Sequence, residues 1–312
     1  MKFIDVFSGH REAGGLLWRT RPICSVLKAE YGVSLSVSGY YGFKKRTPST
    51  RALRDERLKE CIGATYQNNY SCYGVRKVWH QLSRNGYTVA RCTVERLMRE
   101  LKLHGAVRGK VKITTGAGKD TVSVDDLVKR VFYATAPNRL WVADFTYVST
   151  WEGWGYTAFI TDAFARRIIG WICSVRMNEK MVVGAFKTAV FTRVREGHDT
   201  FSSLVHHNDH GSQYTSGNFT ELLALHGVKV SIGSIGDAYD NALAETIIGT
   251  YKTELVRNKG SWKSLEHLRL ETTRWVNWYN TERISQYNNW HTPLETEAMW
   301  YSEGVDVRKV LT

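Results

Sequence analysis

The sequence predicts an α/β core, a mixed five-stranded sheet with helices on both faces, preceded by an all-α basic region. Three observations carry this. Residues 1–120 hold a net charge of +14 and residues 121–312 a net −1, so the whole +13 excess of the 312-residue chain lies at one end. Apolar residues recur at helical spacing up to about residue 104, and runs rich in β-branched and aromatic residues begin near residue 136. Between them lies a stretch without periodicity, with Gly105, Gly109, Gly116, Gly118, Lys110, Lys112 and Lys119.

Composition narrows the classes. Apolar residues at 43% and charged residues at 23% exclude a chain disordered as a whole. No apolar run reaches the roughly 20 residues of a membrane helix, and the first residues do not read as a signal peptide. Five cysteines without a Cys-x-x-Cys pattern spell neither a disulfide framework nor a zinc ribbon, and a reducing cytoplasm is the expected compartment. The one-sided basic charge points to a polyanion, with nucleic acid ahead of a merely soluble basic face.

The elements follow in order. Pro22 suits the first turn of a helix carrying Ile23, Val26 and Leu27, which Gly32 stops. A short helix after Ser36 runs into Lys44-Lys45-Arg46, and residues 51–66 form a basic amphipathic helix on Leu53, Leu58 and Ile62. Val75, Val78, Trp79 and Leu82 fit the i, i+3, i+4, i+7 template, Asn85-Gly86 ends that helix, and Val94, Leu97, Met98 and Leu101 repeat it. Helix, short turn, basic helix is the pattern of a helix-turn-helix DNA reader, which a structural αα-hairpin shares. Arg96, Arg99 and Lys102 are its candidate DNA contacts, with Arg76 and Lys77 on the preceding helix. Strands are then expected at 140–148, 156–161, 168–173, 204–207 and 228–232, with helices over 179–195, 218–226 and about 241–257. Three strands in a meander, then helix-strand-helix-strand-helix, is the order of the ribonuclease-H-like fold.

Three carboxylates stand out. Asp144 lies inside an apolar strand, where Asp is disfavoured unless paired or metal-bound. Asp209 follows the fourth strand, and Glu245, after 35 intervening residues, lies on the last core helix. Converging carboxylates repel one another unless divalent cations hold them, and hard oxygen ligands suit Mg²⁺ or Mn²⁺. Two such ions suit phosphodiester chemistry. On a regular helix Asn241, Gly249 and Lys252 share the face of Glu245, and Lys252 is a candidate phosphate contact. Asp240 is off that face and reads as a helix cap.

These residues carry a resemblance. Trp141-x-x-Asp144-x-Thr146-Tyr147, His207-x-Asp209-x-Gly211-Ser212-Gln213-Tyr214 and Asp240-Asn241-Ala242-x-Ala244-Glu245, with Lys252 seven residues on, resemble the DDE transposases of two-reading-frame insertion sequences, relatives of retroviral integrases. Tyr73-Gly74-x-Arg76-Lys77-x-Trp79 and Trp278-Tyr279-Asn280-x-x-Arg283 match as well. The chain departs from the family pattern at Asn208, His210 and Ser285 and over Gly9–Arg21.

The resemblance implies a polynucleotidyl transferase that cleaves insertion-sequence ends and joins the 3′-hydroxyl to target DNA. Asp144, Asp209 and Glu245 would be the catalytic metal ligands for two Mg²⁺ or Mn²⁺ ions. It implies the downstream-frame product, partnered by double-stranded DNA, by further copies of itself on DNA and by the upstream-frame protein or a fusion with it, at the nucleoid in the cytoplasm. The domains expected are a helix-turn-helix region over 1–104, a linker over 105–135, an integrase-type catalytic core over 136–258 and a C-terminal helical extension over 259–312. A serine or tyrosine recombinase lacks its nucleophile constellation here. A DNA-binding regulator with an inactive core is the rival from another class. His206, His207 and His210 are expected to position phosphate or water or to end the strand, Asp162 to be structural, Asp237 to be solvated, and Trp151, Trp154, Trp275, Trp278 and Trp290 to be mostly core.

Overall fold

A computed structural model describes residues 1–12, 14–107, 109, 126–209, 211, 213–233 and 241–309. The chain forms two compact units, Met1–Leu58 and Lys59–Thr312. This division differs from the one expected at 105–135. The helix-turn-helix pair shares a unit with the sheet, and much of the expected linker lies outside the described residues.

The first unit holds α1 (Lys2–Phe7), α2 (Thr20–Tyr31), α3 (Val37–Lys45) and the start of α4 (Thr50–Asn68). Ile4, Ile23, Cys24 and Tyr40 form its core. Gly32 ends α2 in the left-handed region at φ 64°, where a side chain would be strained.

In the second unit α5 (Val75–Arg84) and α6 (Arg91–Glu100) bury Val78, Leu82, Val94, Leu97 and Met98, the stripes that the periodicity marks. The sheet follows, with β1 (Leu140–Thr150), β2 (Gly153–Asp162), β3 (Arg167–Ser174), β4 (Val205–Asn208) and β5 (Lys229–Ile232). Its order is β3-β2-β1-β4-β5. The first three strands are antiparallel, while β4 runs parallel to β1 and β5 parallel to β4. This is the expected ribonuclease-H-like topology.

Two apolar layers cover the sheet. On one face α7 (Glu179–Arg195) and α8 (Gly217–Leu225) pack Phe186, Ala189, Phe219 and Leu223 on Trp141, Ala143 and Ile160. Helix α7 lies so close to β3 that a Cβ at Gly170 would collide with the Ala185 carbonyl and Ala189. On the other face α9 (Ala242–Tyr251) sets Leu243 and Ala244 against Leu140 and Val142. There Tyr251 and Phe159 meet Trp275 of α11 (Leu265–Thr281), with α10 (Arg257–Lys259) between the two helices and α12 (Pro293–Glu303) following.

The long helix expected over 241–257 is not uniform. After Tyr251 the backbone changes to a π turn over Lys252–Val256. Such turns mark functional places in many helices.

His206 and His207 are both fully buried on β4, so neither reaches a phosphate. His207 Nδ1 lies 2.9 Å from Ser231 Oγ. Burial pushes His206 down to about 4 from its ordinary 6.5. Between those values the unfolded chain binds a proton that the folded chain refuses, so stability falls as pH falls through that window. His206→Phe, set among Phe186 and Phe219, is expected to flatten this loss. Urea midpoints at pH 7 and pH 5 read it; an unchanged difference between the two would refute it. His210 lies outside the described residues.

Candidate active site

Asp144 sits near the middle of β1, paired with Phe159 of β2 on one side and one residue past the end of the β4 pairing on the other. Its Oδ1 accepts the Phe145 N–H at 2.7 Å. Asp209 follows the last residue of β4, which pairs with Ala143, so the fold brings the two carboxylates side by side across neighbouring strands. Gly211 N–H donates to Asp209 Oδ1 at 3.2 Å, and a Cβ at 211 would stand 3.1 Å from that oxygen. The glycine therefore lets the backbone curl onto the carboxylate. Glu245 is exposed on the first turn of α9, where the helix dipole favours a negative charge.

The electrostatics show the convergence. Asp144 is pushed up to about 8, by burial first and by Asp209 next. Glu245 adds to the rise, while the Phe145 N–H and the Lys252 ammonium oppose it. Tyr214, buried behind the pair, is raised well above its ordinary value by burial, Asp144 and Asp209. Lys252 is lowered by half-burial and by Arg257, with Asp144 pulling the other way. Asp209, Glu245 and Lys252 thus all act on Asp144.

Asn241 caps α9 rather than lying in its first turn as expected. It is buried, and its Nδ2 donates to the Ala143 carbonyl at 3.1 Å, which ties the Glu245 helix to the strand of Asp144. An amide so engaged braces the site instead of facing DNA. Asp240, expected as the cap, lies outside the described residues, as does Asp237.

The donor set is all oxygen: three carboxylates and a buried Asn241 Oδ1 that has no partner among the described residues. Hard divalent ions such as Mg²⁺ or Mn²⁺ suit such donors, and their charge would offset the burial and the carboxylate repulsion that raise Asp144. The residues fit the ion. Among the described residues, however, no three acidic, His or Cys side chains are gathered closely enough to form a finished cage.

The other sequence-predicted residues divide in two. Arg99 and Lys102 are exposed on or just after α6, and Arg96 is half-exposed. Arg96 and Arg99 pair along the helix with Glu100 and Glu95 at 2.7 and 3.4 Å. Arg76 is exposed on α5, its guanidinium 5.5 Å from the Trp290 ring centroid. Lys77, expected at DNA, is drawn inward: it lies 3.8 Å from Glu254 of the π turn and 4.8 Å from the Tyr73 ring.

The flanking motifs interlock around that turn. Arg283 grips both oxygens of Glu254, its Nε at 2.8 and 3.1 Å and its Nη2 at 2.8 Å. The Tyr73 hydroxyl accepts the Ile284 N–H at 3.0 Å. Asn280 clasps the Ile168 backbone with two hydrogen bonds. Trp278 donates to Asn69. These contacts join the helix-turn-helix pair to the sheet through residues of the two flanking family motifs.

Asp162 is structural, as expected: it is fully buried, accepts from Asn138 and Phe164 N–H and pairs with Arg193 at 2.8 Å. Trp275 and Trp278 are core, and Trp290 stacks half-buried on His80. Trp151 and Trp154 are not core, being 72% and 55% exposed. Tyr214, which Asp144 and Asp209 help to raise, and Tyr147, whose ring centroid lies 5.1 Å from Lys252 Nζ, also stand by the site, and only their places in the motifs signalled them.

The chain is similar to known proteins along most of its length. The family described as "Integrase core domain" matches residues 134–238, and a second family of the same description matches 226–293. The family described as "HTH-like domain" matches 53–111. A Mycobacterium tuberculosis protein described as "Putative transposase for insertion sequence element IS986/IS6110" is 51% identical over 269 residues, 86% of this chain and 97% of that one. A Shigella sonnei protein described as "Transposase for insertion sequence element IS629" is 43% identical over 293 residues, 90% and 96% of the two chains. A solved structure described as "Structure of the HTLV-2 integrase catalytic core domain in complex with magnesium (dimeric form)" matches at TM-score 0.37 and 17% identity, over 51% of this chain and 96% of that one. With an HTH-like region ahead of an integrase core, and identity to these relatives along nearly its whole length, the chain belongs to the transposases of insertion-sequence elements.

Proposed function

We propose that this transposase cleaves the ends of its insertion element and joins the freed 3′-hydroxyl to target DNA by metal-dependent phosphoryl transfer. The observation that carries the reading is the placement of Asp144 on β1 beside Asp209 at the end of β4, with the helix of Glu245 tied to the same strand by Asn241. Bound Mg²⁺ or Mn²⁺, two per site, would supply activation of the attacking oxygen and stabilisation of the leaving one. The chain's own residues do the rest. Asp144 and Asp209 hold ligand oxygens on adjacent strands, and Asn241 fixes the helix that presents Glu245. Lys252 offers an ammonium to a phosphate. Water attacks first, then the freed 3′-hydroxyl, so no covalent protein intermediate is required.

The test is a cleavage assay on duplexes carrying the element's terminal repeat, with and without Mg²⁺, for the wild type and Asp209→Asn. Metal-dependent cleavage lost in the variant supports the reading. DNA binding without cleavage under every condition would favour a regulator with an inactive core.

DNA is expected to lie along α6. Loss of one phosphate contact lowers the log–log salt slope of binding by about 0.9. Arg99→Ala is expected to show this, because its exposed pair with Glu95 contributes little. Lys77→Met, whose ammonium faces Glu254, is expected to leave the slope unchanged. The reverse pattern would move the DNA path from α6 to α5. We further propose that copies of this chain assemble on the element ends, with the upstream-frame protein or a fusion as a further partner, in the cytoplasm at the nucleoid. No helix among the described residues is long and apolar enough to cross a membrane.

A further inference from the structure

The β1–β2 hairpin carries three large aromatic rings that the core does not use. Tyr147, Trp151 and Trp154 are 57%, 72% and 55% exposed. They do not stand on a loose loop. Trp151 N–H donates to the Trp262 carbonyl at 2.9 Å, Thr150 Oγ1 to the Gly153 carbonyl at 2.8 Å and Glu152 N–H to Thr150 Oγ1 at 3.2 Å. Ten consecutive residue pairs, from Trp141↔Asp162 to Thr150↔Gly153, zip the two strands together. Tyr147 and Trp154 meet at right angles, ring centroids 5.1 Å apart, and form a corner. Lys252 joins this corner to the carboxylates: its Nζ lies 5.1 Å from the Tyr147 ring centroid, and its charge acts on Asp144.

We propose that Trp154 and Tyr147 form a base-stacking subsite for the DNA strand that enters the carboxylate site, with Lys252 on the phosphate between them. The inference rests on the transposase reading above and assigns residues that reading does not need. A rigid aromatic platform beside a cation suits nucleic acid, because every base offers a π face and every step a phosphate. The spacing sets which bases are held. Tyr147 stands three residues beyond Asp144 on β1, about 10 Å at strand rise, and Trp154 pairs opposite Ser149, about 17 Å away. At about 3.4 Å per stacked nucleotide, these distances correspond to the third to fifth nucleotides from the scissile phosphate.

The experiment uses the full chain and terminal-repeat duplexes with a single abasic site stepped from the second to the seventh nucleotide on either side of the scissile phosphate. Trp154→Ala and Tyr147→Ala are expected to weaken binding of the intact duplex by about five- to 150-fold, the range of one lost stacking contact. An abasic site within the third to fifth nucleotides should weaken the wild type to a similar degree and the alanine variants little further, because both changes remove one contact. Trp154→Phe should restore most of the loss. 2-Aminopurine at the sensitive position should be quenched by the wild type and not by Trp154→Ala. Additive losses, or no sensitive position in that window, would overturn the inference. So would a DNA-free Trp154→Ala chain that changes its oligomeric state by light scattering, since the patch would then be an interface between copies. The wild type's metal-dependent cleavage is scored separately: its absence defeats the transposase chemistry, whereas its presence with additive losses defeats only the stacking subsite.

Discussion

Asp209→Asn is expected to fold, to bind DNA and to lose about a thousandfold in cleavage rate. A metal-held carboxylate site contributes several kcal/mol to the transition state, and each 1.36 kcal/mol is tenfold in rate. The same substitution removes a charge that Asp144 already resists, since Asp209 is the largest influence on Asp144 after burial. Without metal the variant is therefore expected to melt at or above the wild-type temperature. With Mg²⁺ or Mn²⁺ the wild type should gain about 2.7 kcal/mol at a hundredfold excess over Kd, and the variant should lose most of that gain. Glu245→Gln should lose cleavage similarly but shift the metal-free melt less, because Glu245 is exposed and acts more weakly on Asp144. Thermal melts with and without ion, beside the cleavage assay, read all of this. An Asp209→Asn protein that still cleaves at the wild-type rate would place the chemistry on other residues.

Arg193→Met is expected to be the most destabilising single change in the second unit. Arg193 is fully buried at the end of α7 and binds Asp162, Glu196 and Glu297 at 2.7 to 3.1 Å. Arg167 joins from β3, with Glu297 at 2.6 Å and Glu196 at 2.5 Å. The cluster ties the ends of β2 and α7 to α12. Burial alone would raise Glu297, but Arg193 and Arg167 together hold it below its ordinary value. Among the described residues, removing Arg193 leaves buried Asp162 with no salt-bridge partner and buried Glu297 with only Arg167. Breaking such a pair costs about 3–5 kcal/mol. For a unit of this size that is a fall on the order of 10 °C in melting temperature. Replacing Arg193, Asp162 and Glu297 together by apolar residues should recover much of the loss, since no buried charge then lacks its counter-charge. A single variant within about 1 kcal/mol of wild type would show that the cluster contributes little.

The local elements were legible in the sequence because their signals are local. Alternating and helical periods mark β1 to β5, α5 to α8 and the start of α9 within a few residues, and the burial of Val78, Leu82, Val94 and Leu97 follows the predicted stripes. The three carboxylates were legible for a different reason. An Asp in an apolar strand is chemically anomalous wherever it is met, and Asp209 and Glu245 stand in motifs that carry a family pattern.

Partner choice was not legible, because it depends on contacts between residues far apart in the chain. Lys77 and Arg76 are neighbours in sequence and equally basic, yet one faces Glu254 and the other is exposed. Trp154 and Trp275 are the same residue type in aromatic surroundings. The turn carries one to the surface, while α11 presses the other onto Tyr251 and Phe159. The change to a π turn at Lys252 leaves no mark on the hydrophobic period; Arg283 and Lys77 meet Glu254 within that turn. What the sequence by itself determined is the order of elements, the one-sided charge and the carboxylates. The tertiary structure alone decided which basic side chains are spent inside, where the compact units divide and which aromatic rings remain open beside the site. Periodicity and motif spacing are properties of short stretches, whereas burial and charge pairing are settled only when distant segments compete for the same neighbours.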